Sequence, residues 1–225
     1  EKVQKFLNSD KKDIHNPFLF EDMENAVKRI QKAGKNKEKI IIYGDYDVDG
    51  ISGVAYLVIM LRRLGLNVDY YIPNRVHKGT GINKHVLAFL KKWDAKLFIT
   101  VDTSINNLEE IMLLKDRGID IIITDHHRKT GISENEEKNL GVLTINPKSS
   151  KNYPNKFLSG SGVAFKLADA VYEAYGANKK ILYDYLDIIM IGTVADVVPM
   201  TDENRFIIKK GLNNLKKTKI KGLKY

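Results

Sequence analysis

The stretch that decides the fold is KIIIYGDYDVDG, residues 39–50, in which an apolar run ends at a glycine and three aspartates. The β-branched run 39–43 predicts a buried strand. A mostly apolar helix is expected over 52–64, closed by Gly65, so the acidic turn joins a strand to a helix. This order indicates a βα unit with polar side chains at the carboxyl end of its strand.

The same alternation continues along the chain. Strands are predicted at 68–72, 96–101 and 119–124, with helices between them at 83–93 and 107–117. A further strand at 142–145 precedes helices at 160–175 and 181–194. Nearly continuous apolar strands that alternate with helices are typical of a parallel sheet covered on both faces. We therefore predict an α/β fold, a mostly parallel sheet flanked by helices with a helical second half.

Composition limits the classes of function. The 225 residues include no cysteine, so disulfides are excluded and any metal ligands must be oxygen or imidazole. No stretch approaches the roughly 20 apolar residues of a membrane span, and no signal peptide is recognisable. Because Glu1 stands where a methionine is expected, we expect a cytoplasmic fragment cut from a longer chain, with no membrane partner.

The net charge of +9 is concentrated at one end of the chain. Residues 209–225 hold seven lysines and no acidic residue, which leaves about +2 for everything before them. Such a segment either contacts nucleic-acid phosphates or forms a solvated, lysine-rich helix. We expect one domain over 1–208, followed by a basic helical segment over 209–225.

Aspartates follow the first strand at alternate positions, Asp45, Asp47 and Asp49. In an extended segment their carboxylates point the same way, and their repulsion favours a bound cation such as Mg²⁺ or Mn²⁺. An EF-hand calcium loop is excluded, because its twelfth position is Tyr56 instead of glutamate and a strand precedes it. An acidic turn with a helix-capping aspartate is the alternative.

Three further polar clusters end apolar runs. Asp102 follows the third strand and Asp196 follows an apolar helix, where a carboxylate needs a partner such as a metal. Asp125-His126-His127 follows the fourth strand and supplies imidazole, the ligand type that the carboxylates lack. The histidines are alternatively a hydrogen-bonded pair at a strand end. Taken together, the clusters predict a two-metal phosphoesterase centre.

Four of these stretches resemble the motifs of DHH-family phosphoesterases. They are GDYDVDG at 44–50, VDTSI at 101–105, TDHH at 124–127 and GTVADVVPM at 192–200. LSGSGVAFKLADA at 158–170 and ENRFIIKKGL at 203–212 are similar to segments of the single-strand-specific exonucleases in this family. The resemblance implies metal-dependent phosphodiester hydrolysis, 5′→3′ on single-stranded DNA, in repair and recombination.

The resemblance also implies a pair of Mn²⁺ or Mg²⁺ ions and a role for each matching residue. The implied metal ligands are Asp47, Asp49, Asp102, His126 and Asp196, with Asp102 bridging the two ions. His127 matches the second histidine, beside the scissile phosphate, where it stabilises the transition state or protonates the leaving oxygen. His127 and Asp102 are therefore the expected catalytic residues. Asp125 is expected to support the site without binding metal.

Substrate contacts are expected in two places. Ser161 and Gly162 begin a predicted helix, whose N–H groups either receive a phosphate or form an ordinary cap. Arg75 and Lys78, with His77 between them, follow the second strand and either bind a further phosphate or are solvated.

Three positions depart from the family pattern. Some DHH phosphatases and pyrophosphatases have histidine where this chain has Tyr43, so one ion is expected to have fewer protein ligands and to bind more weakly. Ser104 replaces a usual glycine and is expected to crowd the backbone near Asp102 if its φ is positive. Thr80 replaces an aromatic residue of a glycine turn. We expect these changes to alter rate and substrate fit.

Two alternative functions stay open. One is an oligonucleotide (nanoRNA) or cyclic-dinucleotide phosphodiesterase, against which the segments 158–170 and 203–212 argue. The other is a non-catalytic DHH-like replication factor, although such relatives lose metal ligands and all five matched ligands are present here.

The expected partners follow from the same resemblance. A family member continues into a DHH-associated C-terminal domain, and its cleft lies between the two halves. The implied partners are single-stranded DNA, that absent domain, and helicase or single-strand-binding proteins. We expect this chain to bind metal but to be weakly active or inactive on DNA by itself.

Overall fold

A computed structural model describes residues 2–74, 84–104, 108–128 and 133–224. Within them, five strands form a single sheet in the order β2-β1-β3-β4-β5, and all four pairings are parallel. The strands are β1 Lys39–Gly44, β2 Val68–Tyr71, β3 Ala95–Val101, β4 Asp120–Thr124 and β5 Val142–Ile145. The predicted α/β class and parallel sheet are confirmed, and the carboxyl ends of the strands share one edge.

The same residues contain ten α-helices. They are α1 Lys2–Leu7, α2 Met23–Lys35, α3 Val48–Arg63, α4 Lys84–Trp93, α5 Leu108–Lys115, α6 Glu134–Asn139, α7 Gly160–Ala174, α8 Lys180–Asp184, α9 Leu186–Ala195 and α10 Asp202–Leu215. Across the described ranges, no helix combines the length and the apolar character that crossing a membrane requires.

Helices cover the two faces of the sheet unequally. Ile40 and Ile42 of β1 point into the larger core, which α2, α3 and α7 complete. Ile41 and Tyr43 point to the opposite face, into a smaller core with residues of α4 and α5. This is the two-residue alternation of a strand buried on both sides. Helix α9 packs against α3, α7 and α10, and extends the larger layer beyond the sheet.

The helices differ from prediction at two places that matter for the site. Helix α3 begins at Val48, not at 52, because Asp47 caps it and accepts a 2.9 Å hydrogen bond from the Gly50 N–H. Asp49 therefore lies in the first helical turn, and the extended arrangement predicted for the three aspartates is wrong for this residue. The helix predicted over 181–194 is two helices, separated at Tyr185.

The first residues of the basic segment continue a helix that begins before it. The boundary predicted at 208/209 falls inside α10, which continues to Leu215. Beyond the helix, the Thr218 hydroxyl donates a 2.5 Å hydrogen bond to buried Asp187, and Lys219 pairs with Asp184 at 3.2 Å. Both acceptors lie at or just before the N-terminal end of α9. The lysines near these contacts therefore lie at the end of α9 opposite to Asp196.

Candidate metal centre

The ends of two strands and two helices bring the predicted ligands together. Asp102 directly follows β3, and its N–H donates to the Thr124 carbonyl at 2.9 Å. Asp125 directly follows β4, and its N–H donates to the Ile145 carbonyl at 3.1 Å. Asp196 is the C-cap residue of α9. The hydrogen-bond pattern of the sheet thus continues into the loops, and it fixes the backbone positions of Asp102 and Asp125.

Asp49 is held by the start of α7. Its carboxylate is 1% exposed and accepts hydrogen bonds from the Gly160 N–H at 2.5 Å and the Ser161 N–H at 3.0 Å. The Gly162 N–H donates to the Ser159 hydroxyl at 3.1 Å. The helix terminus expected to receive a phosphate therefore binds a carboxylate of the protein itself. Gly160 and Ser161 support Asp49, whereas the Gly162 N–H is committed to Ser159, and the phosphate contact expected at Ser161 and Gly162 stays a prediction.

Asp102 occupies an unfavourable place for a negative charge. It is 2% exposed, and its Oδ1 lies 3.2 Å from Nε2 of His126. Burial, together with the charges of Asp49 and Asp47, raises the pKa of the Asp102 carboxyl to about 10. Without a cation, this carboxyl is therefore protonated at neutral pH.

His126 lies between two carboxylates. Its Nδ1 is 3.5 Å from Oδ2 of Asp196, on the side opposite to Asp102. Burial lowers the pKa of the His126 imidazole, despite the nearby charge of Asp196, so the ring is neutral at pH 7. Burial likewise raises the pKa of Asp196. A neutral imidazole between carboxylates has the form in which histidine binds metals.

Several of these buried atoms lack a hydrogen-bond partner among the described residues. They include Asp102 Oδ1, His126 Nε2 and Asp196 Oδ2. Potential ligand atoms lie within 4.8 Å of one another in two groups, Asp49–His126–Asp196 and Asp102–His126–His127. Buried polar atoms without partners are costly, and a cation between them removes that cost. The residues present therefore fit a metal centre made of oxygen ligands and imidazole.

His127 has a different environment. Its Nδ1 lies 2.8 Å from Oδ1 of Asp125, and the side chain is 57% exposed. The hydrogen bond to Asp125 raises the pKa of the His127 imidazole to about 9. Burial opposes ionisation of Asp125, but the hydrogen bond and charge of His127 outweigh burial and lower its pKa. Asn146, absent from the predicted site, donates to the His127 carbonyl at 2.9 Å.

The remaining predicted residues are less closely grouped. Asp47 is exposed and lies outside both ligand groups, although its charge raises the pKa of Asp102 and Asp196. Tyr43 packs in the smaller core, where its ring centroid lies 5.5 Å from that of Phe98. The predicted residues that lie outside the described ranges are Arg75, His77, Lys78 and Thr80.

Two glycines allow the segments of the site to pack closely, and the sequence analysis did not include either of them among the site residues. A Cβ on Gly160 would overlap Cβ and Oδ1 of Asp102. A Cβ on Gly192 would lie 2.5 Å from Oγ of Ser161 and 2.7 Å from Oδ1 of Asp49. For Gly192 the signal was present, since glycine inside an apolar helix costs stability and needs a packing reason, whereas Gly160 is the first residue of α7.

Comparisons with known proteins agree with this geometry. The model of the DHH family, N-terminal domain, matches residues 39–193. The single-stranded-DNA-specific exonuclease RecJ of Bacillus subtilis (strain 168) is 39% identical over 224 residues, covering 100% of this chain and 27% of that protein. This chain therefore spans about a quarter of the length of that relative.

Solved structures give the same result. A crystal structure of exonuclease RecJ bound to manganese aligns with a TM-score of 0.80 and 31% identity, over 91% of this chain and 50% of that one. RecJ from Thermus thermophilus in complex with Mn²⁺ aligns with a TM-score of 0.77 and 30% identity, over 91% and 28%. Since the family match covers more than half of the sequence and includes the strand ends that carry the ligand groups, this chain belongs to the DHH family.

Proposed function

We propose that this chain is the metal-binding half of an enzyme that hydrolyses phosphodiester bonds of single-stranded DNA, as a 5′→3′ exonuclease in repair and recombination. The observation that carries the proposal is the convergence of buried atoms of Asp102, His126 and Asp196 that have no hydrogen-bond partner within the described ranges. The substrate assignment draws on the similarity to RecJ over the whole chain.

The proposed cofactor is a pair of Mn²⁺ or Mg²⁺ ions. The proposed ligands are Asp47, Asp49, Asp102, His126 and Asp196. Carboxylates with a single imidazole suit Mn²⁺ and Mg²⁺, and similar RecJ proteins have been crystallised with each of these metals. When bound, such ions activate water and neutralise the charge that develops on the phosphate.

His127 is the proposed acid of the reaction. Because its Nδ1 is committed to Asp125, Nε2 is the ring atom left to face a phosphate. Without bound metal, the pKa of about 9 keeps the imidazole charged at neutral pH, and the hydrogen bond to Asp125 is its largest cause. The charged ring is thus able to stabilise a developing phosphate charge and to give a proton to the leaving oxygen.

Proposals about the whole protein follow from the partial coverage of its relatives. We propose that a C-terminal domain completes the DNA cleft, that the protein acts in the cytoplasm, and that helicase or single-strand-binding proteins are partners. The chain alone is expected to bind metal and to cleave DNA weakly or not at all.

Metal binding and cleavage together test the proposal. Calorimetry with Mn²⁺ is expected to give two ions per wild-type chain, and the matched control Asp116→Ala, an exposed aspartate remote from the ligand groups, is expected to do the same. Asp102→Ala is expected to lose at least one ion. Cleavage of 5′-labelled and 3′-labelled single strands, with a duplex and a dinucleotide as further substrates, tests polarity and length.

The contradicting results are distinct. Asp102→Ala with wild-type stoichiometry and affinity would refute the metal centre. Metal binding with preferred cleavage of dinucleotides would leave the centre intact but favour an oligonucleotide phosphodiesterase. Rapid, processive digestion by this chain alone would refute the need for a C-terminal domain.

A further inference from the structure

A buried set of hydroxyl groups joins the start of α7 to the end of α9. We define this hydroxyl network as Ser159, Ser161 and Thr193, all with no exposed surface. The Ser159 hydroxyl lies 3.0 Å from that of Ser161 and 3.1 Å from that of Thr193. The Ser161 and Thr193 hydroxyls both donate to the Ile189 carbonyl, at 3.3 and 2.8 Å.

The two segments that the network joins hold two separate metal ligands. Gly160 and Ser161 donate their N–H groups to Asp49, whereas Thr193 lies three residues before Asp196 on the last turn of α9. Gly192, next to Thr193, faces both Ser161 and Asp49 with no room for a side chain. The contact between α7 and α9 therefore fixes the separation of Asp49 and Asp196.

We propose that Thr193, acting with Ser159, is a positioning residue for the ion of the Asp49–His126–Asp196 group. The inference rests on the proposed function. The hydroxyl does more than fill space, because it connects α9 to the very turn whose N–H groups hold Asp49. Groups that orient metal ligands typically change metal affinity by about 10–100-fold when they are removed.

Among the described residues, the hydroxyl network makes no hydrogen bond to Asp102, His126 or His127, although both ligand groups share His126 and Gly160 packs against Asp102. Asp102 and Asp125 are fixed by backbone hydrogen bonds to the neighbouring strand ends. Loss of the Thr193 hydroxyl should therefore weaken one ion and spare the other. A general loss of packing would instead weaken both ions.

The test uses three variants and electron paramagnetic resonance of Mn²⁺. Thr193→Val removes the hydroxyl at nearly constant shape, and Thr193→Ser restores it. Thr100→Val is the matched control, because Thr100 is fully buried on β3 and its hydroxyl has no partner among the described residues. Wild type and Thr100→Val are expected to show a spin-coupled ion pair at two equivalents of Mn²⁺.

Thr193→Val is expected to show an isolated ion at two equivalents and to need about 10–100-fold more Mn²⁺ for the coupled pair. Thr193→Ser is expected to recover the coupled signal near the wild-type concentration. A coupled pair in Thr193→Val at the wild-type concentration, or equal losses in Thr193→Val and Thr100→Val, would overturn the inference while leaving the proposed function intact. Wild-type protein that binds no Mn²⁺ would overturn both.

Discussion

The two halves of the candidate centre are built on opposite principles. The helix half consists of Asp49 and Asp196, which are attached to helices α3 and α9. Asp49 accepts hydrogen bonds from two backbone N–H groups. The strand half, Asp102 and His126-His127, follows strands β3 and β4, and Oδ1 of Asp102 has no hydrogen-bond partner among the described residues. Asp49 of the helix half thus has ready-made partners for its buried charge, whereas Asp102 of the strand half depends on a cation.

In the metal-free protein, the negative charge of the helix half therefore disfavours ionisation of Asp102 in the strand half. The charge that the amides hold on Asp49 is one cause of the high pKa of Asp102. A cation between the halves reverses the interaction, because both carboxylates are then attracted to it. The arrangement indicates that stability without metal and affinity for metal are in conflict at Asp102.

The largest effect is expected where the halves touch, at Gly160. The substitution Gly160→Ala would add a Cβ that overlaps the Cβ and Oδ1 atoms of Asp102. It would also shift the N–H of residue 160, which donates a hydrogen bond to Asp49. We expect Mn²⁺ affinity to fall by about 100-fold or more, and metal-free stability to fall by about 1–3 kcal/mol from overpacking. Calorimetry and urea unfolding measure the two effects.

The control for this prediction is Gly222→Ala, since a Cβ there has no neighbour within 4 Å. It is expected to leave metal affinity and stability unchanged. Wild-type Mn²⁺ binding in Gly160→Ala would show that the halves do not depend on this contact.

The next prediction separates stability from metal binding. In metal-free protein, Asp102→Asn replaces a carboxyl that is difficult to ionise with a neutral amide of similar size. We expect a gain of more than about 1.4 kcal/mol at pH 8, the equivalent of one pKa unit, because the carboxyl must take up a proton on folding whereas the amide needs none. With Mn²⁺ the order is expected to reverse, because the wild type gains more free energy from metal binding than Asp102→Asn does.

The pH dependence has a definite sign. The pKa of Asp102 is raised from 3.8 to about 10 in the folded state. The stability that this carboxyl contributes to the folded protein is therefore fully present below pH 4 and is lost as the pH rises towards 10. The advantage of Asp102→Asn should therefore grow between pH 5 and pH 8 in urea unfolding with a chelator. An equal advantage at both pH values would contradict the raised pKa.

A smaller change is expected at the outer side of the strand half. Asp125→Asn removes the charge that raises the pKa of His127 from 6.5 to about 9, so the titration should move back towards 6.5. The stabilising effect of the Asp125–His127 pair is fully present between 3.8, the ordinary pKa of Asp125, and 6.5, the ordinary pKa of His127, and is lost as the pH rises through 9 or falls far enough to protonate Asp125. Imidazole NMR measures this shift in metal-free protein.

The exposed substitution Asp116→Asn is the control, and it should leave the His127 titration unchanged. A His127 pKa that stays near 9 in Asp125→Asn would assign the shift to another neighbour.

The sequence was a better guide to the strand half than to the helix half. The residues Asp102 and Asp125-His126-His127 follow apolar strands, and parallel strand ends share one edge, so local pattern predicts their proximity. The amides that hold Asp49 lie more than 100 residues away from it, and nothing local pairs them. The start of α7 therefore suggested a phosphate site, because a helix N-terminus attracts any anion.

The condition set for backbone crowding at Ser104 is not met in the structure. Ser104 was predicted to crowd the site if its φ were positive, but the positive φ of 57° belongs to Asp102. Aspartate tolerates this conformation better than most residues do. The turn that orients the Asp102 carboxylate is thus made by Asp102 itself. A sequence motif does not reveal which of its residues has a positive φ.

The smallest effect is therefore expected from Ser104→Gly, which restores the usual family residue. Because φ at Ser104 is not positive, the freedom of glycine is not needed there, and the strand half should keep its geometry. We expect Mn²⁺ affinity to stay within about two-fold of the wild type, as for surface changes of less than about 0.5 kcal/mol. A gain of ten-fold or more in calorimetry would show that Ser104 does constrain Asp102, and the strain at this turn would then be shared between the two residues.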